Sequence, residues 1–155
     1  MKKSTKVYTL FIALTLAVGG ITALLTSGSM KDYEAIAKPS FAPPGWIFPI
    51  VWTILYVLMA WAAARVWLSD SANAGIAIIF YAIQLVVNFF WPIIFFNFGA
   101  FLFAFIWLIL LLVLVIVTAV EFNKADKTAA NLLIPYIVWL VFAAVLNLSV
   151  YLMNR

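Results

Sequence analysis

The stretch Ala100–Phe122, with the sequence AFLFAFIWLILLLVLVIVTAVEF, determines the class of fold. From Ala100 to Val117 it contains no charged residue, no amide side chain and no proline. A helix needs about 20 apolar residues to cross a bilayer, whereas the strands of an outer-membrane barrel are about 10 residues long and alternate in polarity. This continuous run therefore predicts a membrane-spanning helix.

The rest of the chain has the same character. Of its 155 residues, 68% are apolar, and only nine are Lys or Arg and five Asp or Glu. A soluble domain is about half apolar and about a quarter charged, so a water-soluble globule is excluded. We expect an all-α integral membrane protein, a compact bundle of five transmembrane helices in a single domain over residues 1–155. The predicted spans are 7–27, 46–68, 72–96, 100–122 and 129–153.

The first span resembles a signal peptide because three lysines precede it. Its apolar run of 19 residues, Val7–Leu25, exceeds the usual 7–15 residues of a signal core, so we expect a retained helix. Ala13, Ala17 and Gly20 recur at helical spacing, which predicts that this small-residue face packs against a neighbouring helix.

Residues 28–44 form the longest connection, and three prolines forbid a regular helix across its second half. Long loops of this kind are often lids. Six basic residues fall on the side of the N-terminus and three on the side of this loop, so the positive-inside rule places the N-terminus in the cytoplasm and the loop and C-terminus outside.

The residue types that are missing exclude several kinds of chemistry. The chain has no Cys and no His, which removes disulfides, thiolate nucleophiles and the usual metal ligands, and no metal site is predicted. No charged side chain lies at the centre of a predicted span, which argues against ion-coupled transport and against acid–base catalysis.

Uncharged polar and aromatic residues recur on single faces of three spans. The third span has Gln84, Asn88, Trp91 and Phe95, and this face is compatible either with interhelical hydrogen bonds or with the rim of a ligand cavity. The second and fifth spans present similar faces, which are either ordinary packing or further walls of an aromatic pocket between the second, third and fifth helices. Those faces consist of Pro49, Trp52, Tyr56, Met59 and Ala63, and of Pro135, Trp139, Ala143 and Leu146 or Asn147.

Three prolines, Pro49, Pro92 and Pro135, support the pocket because proline removes a backbone hydrogen bond and tends to kink a helix. The fourth helix is predicted to face lipid or a second subunit, with Ala100 and Ala104 as candidate contacts in a homodimer.

At this point three ordered motifs resemble the TspO/MBR family of tryptophan-rich sensory proteins, and the resemblance covers residues 7–155. The motifs are Pro43-Pro44-Gly45-Trp46 with Pro49-Ile50-Val51-Trp52 and Leu55-Tyr56; Gln84, Asn88, Trp91-Pro92 and Phe95-Phe96; and Pro135-Tyr136, Trp139, Phe142-Ala143 and Leu146-Asn147.

The resemblance implies a five-helix bundle in a bacterial cell membrane, often dimeric, with a pocket covered by the first loop. It implies binding of tetrapyrroles such as protoporphyrin IX, of cholesterol and of benzodiazepine-type ligands, with no tightly bound cofactor. It also implies light-dependent degradation of protoporphyrin IX in some members, or alternatively transport of such ligands or sensing through a partner. Leu148, Tyr151 and Arg155 fit a loose cholesterol motif that is weak as a pattern.

Carried over by motif position, Trp52 and Trp139 match the pocket tryptophans and are the predicted catalytic residues. Tyr33 is added as an aromatic residue of the lid. Lys31, Lys38 or Arg65 would meet the propionates of a porphyrin. The complete predicted ligand set is Tyr33, Pro44, Ile47, Trp52, Gln84, Asn88, Phe90, Trp91, Trp139, Ala143, Leu146 and Asn147.

Overall fold

A computed structural model describes residues 2–155, and within them all regular secondary structure is helical. The helices are α1 Lys3–Thr26, α2 Met30–Ala35, α3 Ile47–Leu68, α4 Ala74–Pro92, α5 Phe101–Ala125, α6 Lys127–Leu132 and α7 Ile134–Asn154. A 3₁₀ turn, Ser27–Ser29, links α1 to α2, and a π-helical turn, Ile93–Asn97, continues α4.

Five helical stretches in this part of the chain are long and apolar enough to cross a membrane. They are α1 with α2, α3, α4 with its π-helical turn, α5, and α6 with α7. The predicted all-α bundle of five spans is therefore confirmed, and the chain is a multi-pass membrane protein. Helix α5 packs between α4 and α7, while α1 lies at the outside of the bundle, mainly against α3.

The packed face of α1 differs from the predicted one. Ala13, Ala17 and Gly20 are exposed, so the expectation that they pack against a neighbour is wrong. The buried residues of α1 are Thr15, Thr22 and Thr26. Threonine can occupy a buried position in an apolar span because its hydroxyl bonds to a carbonyl of its own helix, as Thr26 does with Thr22 at 2.9 Å.

Gly19 determines how closely α1 approaches α3. A Cβ atom at Gly19 would overlap the ring of Tyr56, whereas a Cβ at Gly20 would meet nothing within 4 Å. On the N-terminal side of this contact the two helices are joined by aromatic pairs, including Tyr8 with Trp61 at a ring separation of 4.7 Å. Gly19 therefore lies where a glycine permits direct helix contact.

Two of the three prolines lie at an interruption of a helix. Pro49 is the third residue of α3, where the backbone N–H has no partner within the helix in any case, so the kink expected there is wrong. Pro135 cannot donate to the carbonyl of Asn131, and the stretch Lys127–Asn154 is interrupted just before it, at Leu133, between α6 and α7. Pro92 ends α4 and cannot donate to the carbonyl of Asn88, and the chain continues as the π-helical turn.

The loop over residues 28–44 is partly helical, because α2 occupies its first half. Its second half is held by polar contacts. The ammonium of Lys38 donates to three loop carbonyls, among them that of Tyr33 at 2.7 Å. Asn154, near the end of α7, accepts from the amide of Ala37 at 3.1 Å and donates to its carbonyl at 2.8 Å. The loop and the C-terminus therefore lie at the same end of the bundle.

Charged side chains join helices at the opposite end. Arg65 near the end of α3 pairs with Asp126 at 3.0 Å, and Asn73 donates to the carboxylate of Glu121 at 2.8 Å. Helix α5 exposes many apolar side chains, as expected for a lipid-facing helix. Ala104, however, is fully buried inside the monomer, so it is not available as a dimer contact.

Candidate ligand-binding site

Trp52 of α3 is the centre of a buried aromatic cluster. Its ring lies 5.6 Å from Tyr56, 6.5 Å from Trp91 and 6.0 Å from Tyr136, measured between ring centroids. These four residues come from α3, α4 and α7, and all are buried. The helical spacings of the three spans therefore do converge on one group of rings.

The amides of the third span join the same helices by hydrogen bonds. Asn88 accepts from the hydroxyl of Tyr56 at 2.9 Å and donates to the hydroxyl of Tyr136 at 2.6 Å. The Tyr136 hydroxyl in turn donates to Gln84 at 2.8 Å. Each of these polar groups is buried, so an unpaired member would lose hydration without compensation.

A second pair of contacts ties α4 and α5 to α7. The indole Nε1 of Trp91 donates to Asn147 at 3.1 Å, and the amide of Asn147 donates to the carbonyl of Phe101 at 2.8 Å. In this structure the polar residues of the three faces thus form interhelical hydrogen bonds. Their own side chains fill the space between α3, α4 and α7, where an open pocket was expected.

An open cavity of about 330 Å³ lies on the other side of Trp52, between α1, α3 and the end of α4. The exposed residues at its mouth are Ala23, Ser27 and Pro49, and the buried floor includes Trp52 and Tyr56. The remaining lining residues are Gly19, Thr22, Thr26, Met30, Phe48, Pro92 and Phe96. Trp52 therefore faces both the aromatic cluster and the cavity.

Every hydroxyl group that lines the cavity is already bonded within the protein. Thr22 donates to the carbonyl of Val18 at 3.1 Å and Ser27 donates to that of Leu24 at 2.9 Å. Thr26 and Tyr56 are satisfied in the same way, by the contacts given above. No group of three or more His, Cys, Asp or Glu residues among residues 2–155 could hold a metal ion. The cavity therefore presents aromatic and aliphatic surface for contact.

Trp139 lies apart from Trp52. It is partly exposed and does not line the cavity, but its ring is 6.1 Å from Phe48, which does, and 5.2 Å from Phe142. Its Nε1 is buried and has no hydrogen-bond partner in the described chain. Trp52 therefore lines the cavity, whereas Trp139 lies outside it and contacts its lining through Phe48.

Tyr33 is buried beneath the loop, with its hydroxyl donating to the carbonyl of Pro43 at 3.0 Å and its ring 5.4 Å from Phe48. Pro44 is exposed and Ile47 is partly buried at the start of α3. Ala143 and Leu146 are buried in α7, and neither borders the cavity.

The structure separates Phe90 from the other predicted residues. Phe90 is 43% exposed, and its ring contacts those of Phe89 and Trp107. Two residues along a helix correspond to a rotation of about 200°, so a residue at that distance from Asn88 lies on the opposite face. Phe90 therefore faces away from the cluster around Trp52.

The site also contains residues of α1 and several rings beside Trp52 that do not belong to the predicted ligand set. Tyr136 is part of the third motif but not of that set, and Phe48, Phe96 and the wall formed by α1 are absent from it. Gly19 and Ala23, four residues apart, were an available signal, since small residues at this spacing mark a face where another group approaches a helix closely.

Comparison with known proteins agrees with this architecture. The sequence model of the TspO/MBR family matches residues 11–152. The chain is 35% identical to the tryptophan-rich protein TspO of Chlorobaculum tepidum, with 99% of each chain covered. It is 32% identical to protein CrtK of Rhodobacter capsulatus, covering 97% of this chain and 94% of the relative. It is 34% identical to the translocator protein of Ovis aries, covering 86% and 81%. The resemblance seen in the three motifs is confirmed, and the chain belongs to the TspO/MBR family.

Proposed function

We propose that this protein binds protoporphyrin IX and similar flat lipophilic molecules within the bilayer, and that it promotes the light-dependent oxidation of the bound porphyrin. The observation that carries the proposal is the position of Trp52, whose ring is a wall of the cavity and also contacts Tyr136 and Trp91. Aromatic faces suit a flat macrocycle, and a ring pair contributes about 0.5–1.5 kcal/mol beyond area burial.

The size and polarity of the cavity define how such a guest would sit. Its volume of about 330 Å³ is near the lower end of the usual range for ligand sites, about 300–1,000 Å³. We therefore expect the porphyrin ring to enter the cavity in part, with its propionates outside, at the end of the bundle where the loop lies. Lys31 is exposed beside Met30 of the lining, whereas Lys38 is bonded within the loop and Arg65 lies at the opposite end of the bundle. Lys31 is thus the cation we assign to the propionates.

The proposed oxidation uses light as the energy source and dioxygen as the oxidant. Trp52 gives one electron to the excited porphyrin, which leaves an indole cation radical and a porphyrin anion radical. Dioxygen adds to the anion radical, and the adduct returns the electron to the indole as the macrocycle opens. One dioxygen is consumed per porphyrin, both oxygen atoms stay in the product, and Trp52 is regenerated. Trp139 lies 6.1 Å from Phe48 of the lining and is the second indole that we propose supports the oxidation.

Transport of the ligand is the main alternative function. The cavity is confined to the half of the bundle near the loop, and the contact of Gly19 with Tyr56 closes it towards the other end. This geometry favours binding over passage across the membrane. Uptake of protoporphyrin IX into proteoliposomes at a rate above that of empty vesicles would favour transport instead.

The test compares three tryptophan variants of the purified protein. Protoporphyrin IX is added, the sample is illuminated, and the loss of porphyrin absorbance is followed, with binding measured separately in the dark. We expect Trp52→Phe and Trp139→Phe to slow the loss at equal occupancy. Trp46→Phe is the matched control, because Trp46 is 68% exposed. Equal rates in all variants at equal occupancy would refute the role of the indoles, and absence of saturable binding would refute the site.

The membrane arrangement belongs to the same proposal. We expect a bacterial cell membrane protein with its N-terminus in the cytoplasm, on the basis of the count of basic residues at each end. We also expect a homodimer that uses the lipid-facing side of α5, where side chains such as Ile106 and Val113 are exposed.

A further inference from the structure

The mouth of the cavity lies within the part of α1 and α3 that faces the membrane. Ala23 and Ser27 form one edge and Pro49 the other, and all three are exposed. Exposed apolar neighbours such as Leu24, at 78%, mark this side of α1 as lipid-facing. The cavity thus opens sideways to the hydrocarbon of the bilayer.

The route from water is obstructed by the loop. Tyr33 is only 2% exposed, Lys38 holds three loop carbonyls, and Asn154 bonds both backbone groups of Ala37. Glu34 adds a further contact by accepting from the amide of Gly45 at 2.9 Å. These bonds tie the loop to itself and to α7 and hold Tyr33 over Phe48 of the lining, whereas the edge formed by Ala23, Ser27 and Pro49 is exposed.

The lining matches hydrocarbon better than water. Its hydroxyls are bonded to carbonyl or amide oxygens of the protein, and apart from the indole N–H of Trp52 and the thioether of Met30 its other side-chain groups are aliphatic or aromatic. An ordered water requires about two to four polar partners, and this largely apolar wall is poorly suited to hold one. An unfilled apolar space would forfeit dispersion contacts along its whole lining, so adjacent hydrocarbon is drawn in.

We propose that a phospholipid acyl chain from the leaflet on the loop side occupies this cavity when no other ligand is bound. Lys31 follows Met30 at the loop end of the lining, is exposed, and takes part in neither of the ion pairs found in residues 2–155. A phosphate at the level of Lys31 gives the headgroup a partner while the chain lies between α1 and α3. This occupancy does not depend on porphyrin binding.

The test uses the full chain in bilayers without porphyrin. The protein is reconstituted into phosphatidylcholine with brominated acyl chains, because bromine quenches tryptophan fluorescence at short range, and into the unbrominated lipid for reference. The contribution of Trp52 is taken as the difference between the wild type and Trp52→Phe. We expect bromination to lower this contribution at least twofold. An unchanged contribution would overturn the proposal.

Two variants of α1 separate an occupied cavity from general exposure to lipid. Ala23→Phe fills the mouth and should restore the fluorescence of Trp52 in brominated lipid. Leu24→Phe adds the same ring at a neighbouring exposed position outside the lining and should leave the quenching unchanged. Equal quenching in Ala23→Phe and the wild type would show that bromine acts from outside the cavity, and the proposal would fail.

A second measurement does not rely on a substitution at the mouth. Nuclear Overhauser contacts are recorded between lipid acyl protons and the methyl group of Thr22, which is 4% exposed and lines the cavity. We expect contacts of Thr22 with the chain methylenes. The methyl of Thr118 is buried in α5 away from the cavity and should show none. Absence of lipid contacts at Thr22 would overturn the proposal even if a variant failed to fold.

Discussion

Asn88 and Tyr136 are joined across the bundle by a hydrogen bond of 2.6 Å, in which the amide of α4 donates to the phenol oxygen of α7. The same amide accepts from Tyr56 of α3. One side chain thus connects three of the five spans. In apolar surroundings neither tyrosine has water as an alternative partner, so this contact specifies how the three helices meet.

Replacing Asn88 by Leu should therefore destabilise the fold by about 1–3 kcal/mol, since it leaves buried phenol groups with fewer partners. The free energy of unfolding is measured in detergent with a chemical denaturant. Asn131→Leu is the control, because Asn131 is exposed in α6. Equal stability of the two variants would contradict the bridging role of Asn88.

The contact of α1 with α3 predicts opposite effects at adjacent glycines. Gly19→Ala places a methyl group against the ring of Tyr56 and should destabilise by about 1–3 kcal/mol. The methyl group added by Gly20→Ala has no neighbour within 4 Å, so this variant should stabilise α1 by about 0.5–1 kcal/mol through the higher helix propensity of alanine. Thermal unfolding of both variants in the same detergent checks the signs, and a stabilising Gly19→Ala would refute the tight contact.

The loop should open when Asn154 is removed. Asn154→Ala loses both bonds to Ala37, so exchange of loop amide hydrogens should accelerate while global stability changes by less than about 1 kcal/mol. Hydrogen–deuterium exchange followed by mass spectrometry measures this. Met153→Ala alters an exposed neighbour and should leave exchange unchanged. Unaltered exchange in Asn154→Ala would show that other contacts hold the loop.

Asp126 has two separable roles at the end of the bundle opposite the loop. It pairs with Arg65, and its Oδ1 accepts from the amide of Ala129 at the start of α6. Asp126→Asn keeps the cap of α6 and loses the ion pair, whereas Asp126→Ala loses both. We expect Asp126→Ala to be less stable than Asp126→Asn by about 0.5–2 kcal/mol, the typical contribution of a helix cap.

A double-mutant cycle isolates the ion pair. Arg65→Gln combined with Asp126→Asn should give a coupling of about 0.2–1 kcal/mol that declines as salt is raised, because the Arg65 side chain is 35% exposed. A coupling energy of zero at low salt would show that the ion pair between Arg65 and Asp126 does not contribute to the free energy of unfolding.

The sequence was sufficient to predict the five spans, because hydropathy and length alone determine them, and the three motifs identified the family. It also predicted that Trp52, Asn88 and Trp91 share one buried region, since helical spacing determines which residues share a face. The location of the cavity could not be predicted from the sequence. It depends on how side chains of different helices fill the interior, and the spacing of residues along one helix does not determine this.

The individual errors have similar physical causes. Phe90 directly precedes Trp91 in the chain, but the helical rotation from Asn88 turns it away from the aromatic cluster. Pro49 was expected to bend its helix, but it occupies a first-turn position where proline is tolerated. The buried face of α1 consists of threonines, which resemble neither an apolar core nor small-residue packing in a linear sequence. Thr22 and Thr26 donate to carbonyls of their own helix, and Thr15 pairs with Tyr81 of α4.

The closure formed by Gly19 and Tyr56 makes the protein asymmetric with respect to the two sides of its membrane. On the lateral route that we propose, a molecule dissolved in the leaflet on the loop side reaches Trp52 by lateral diffusion, while one in the other leaflet must first change sides. The ligands that the protein samples would then reflect the composition of a single leaflet.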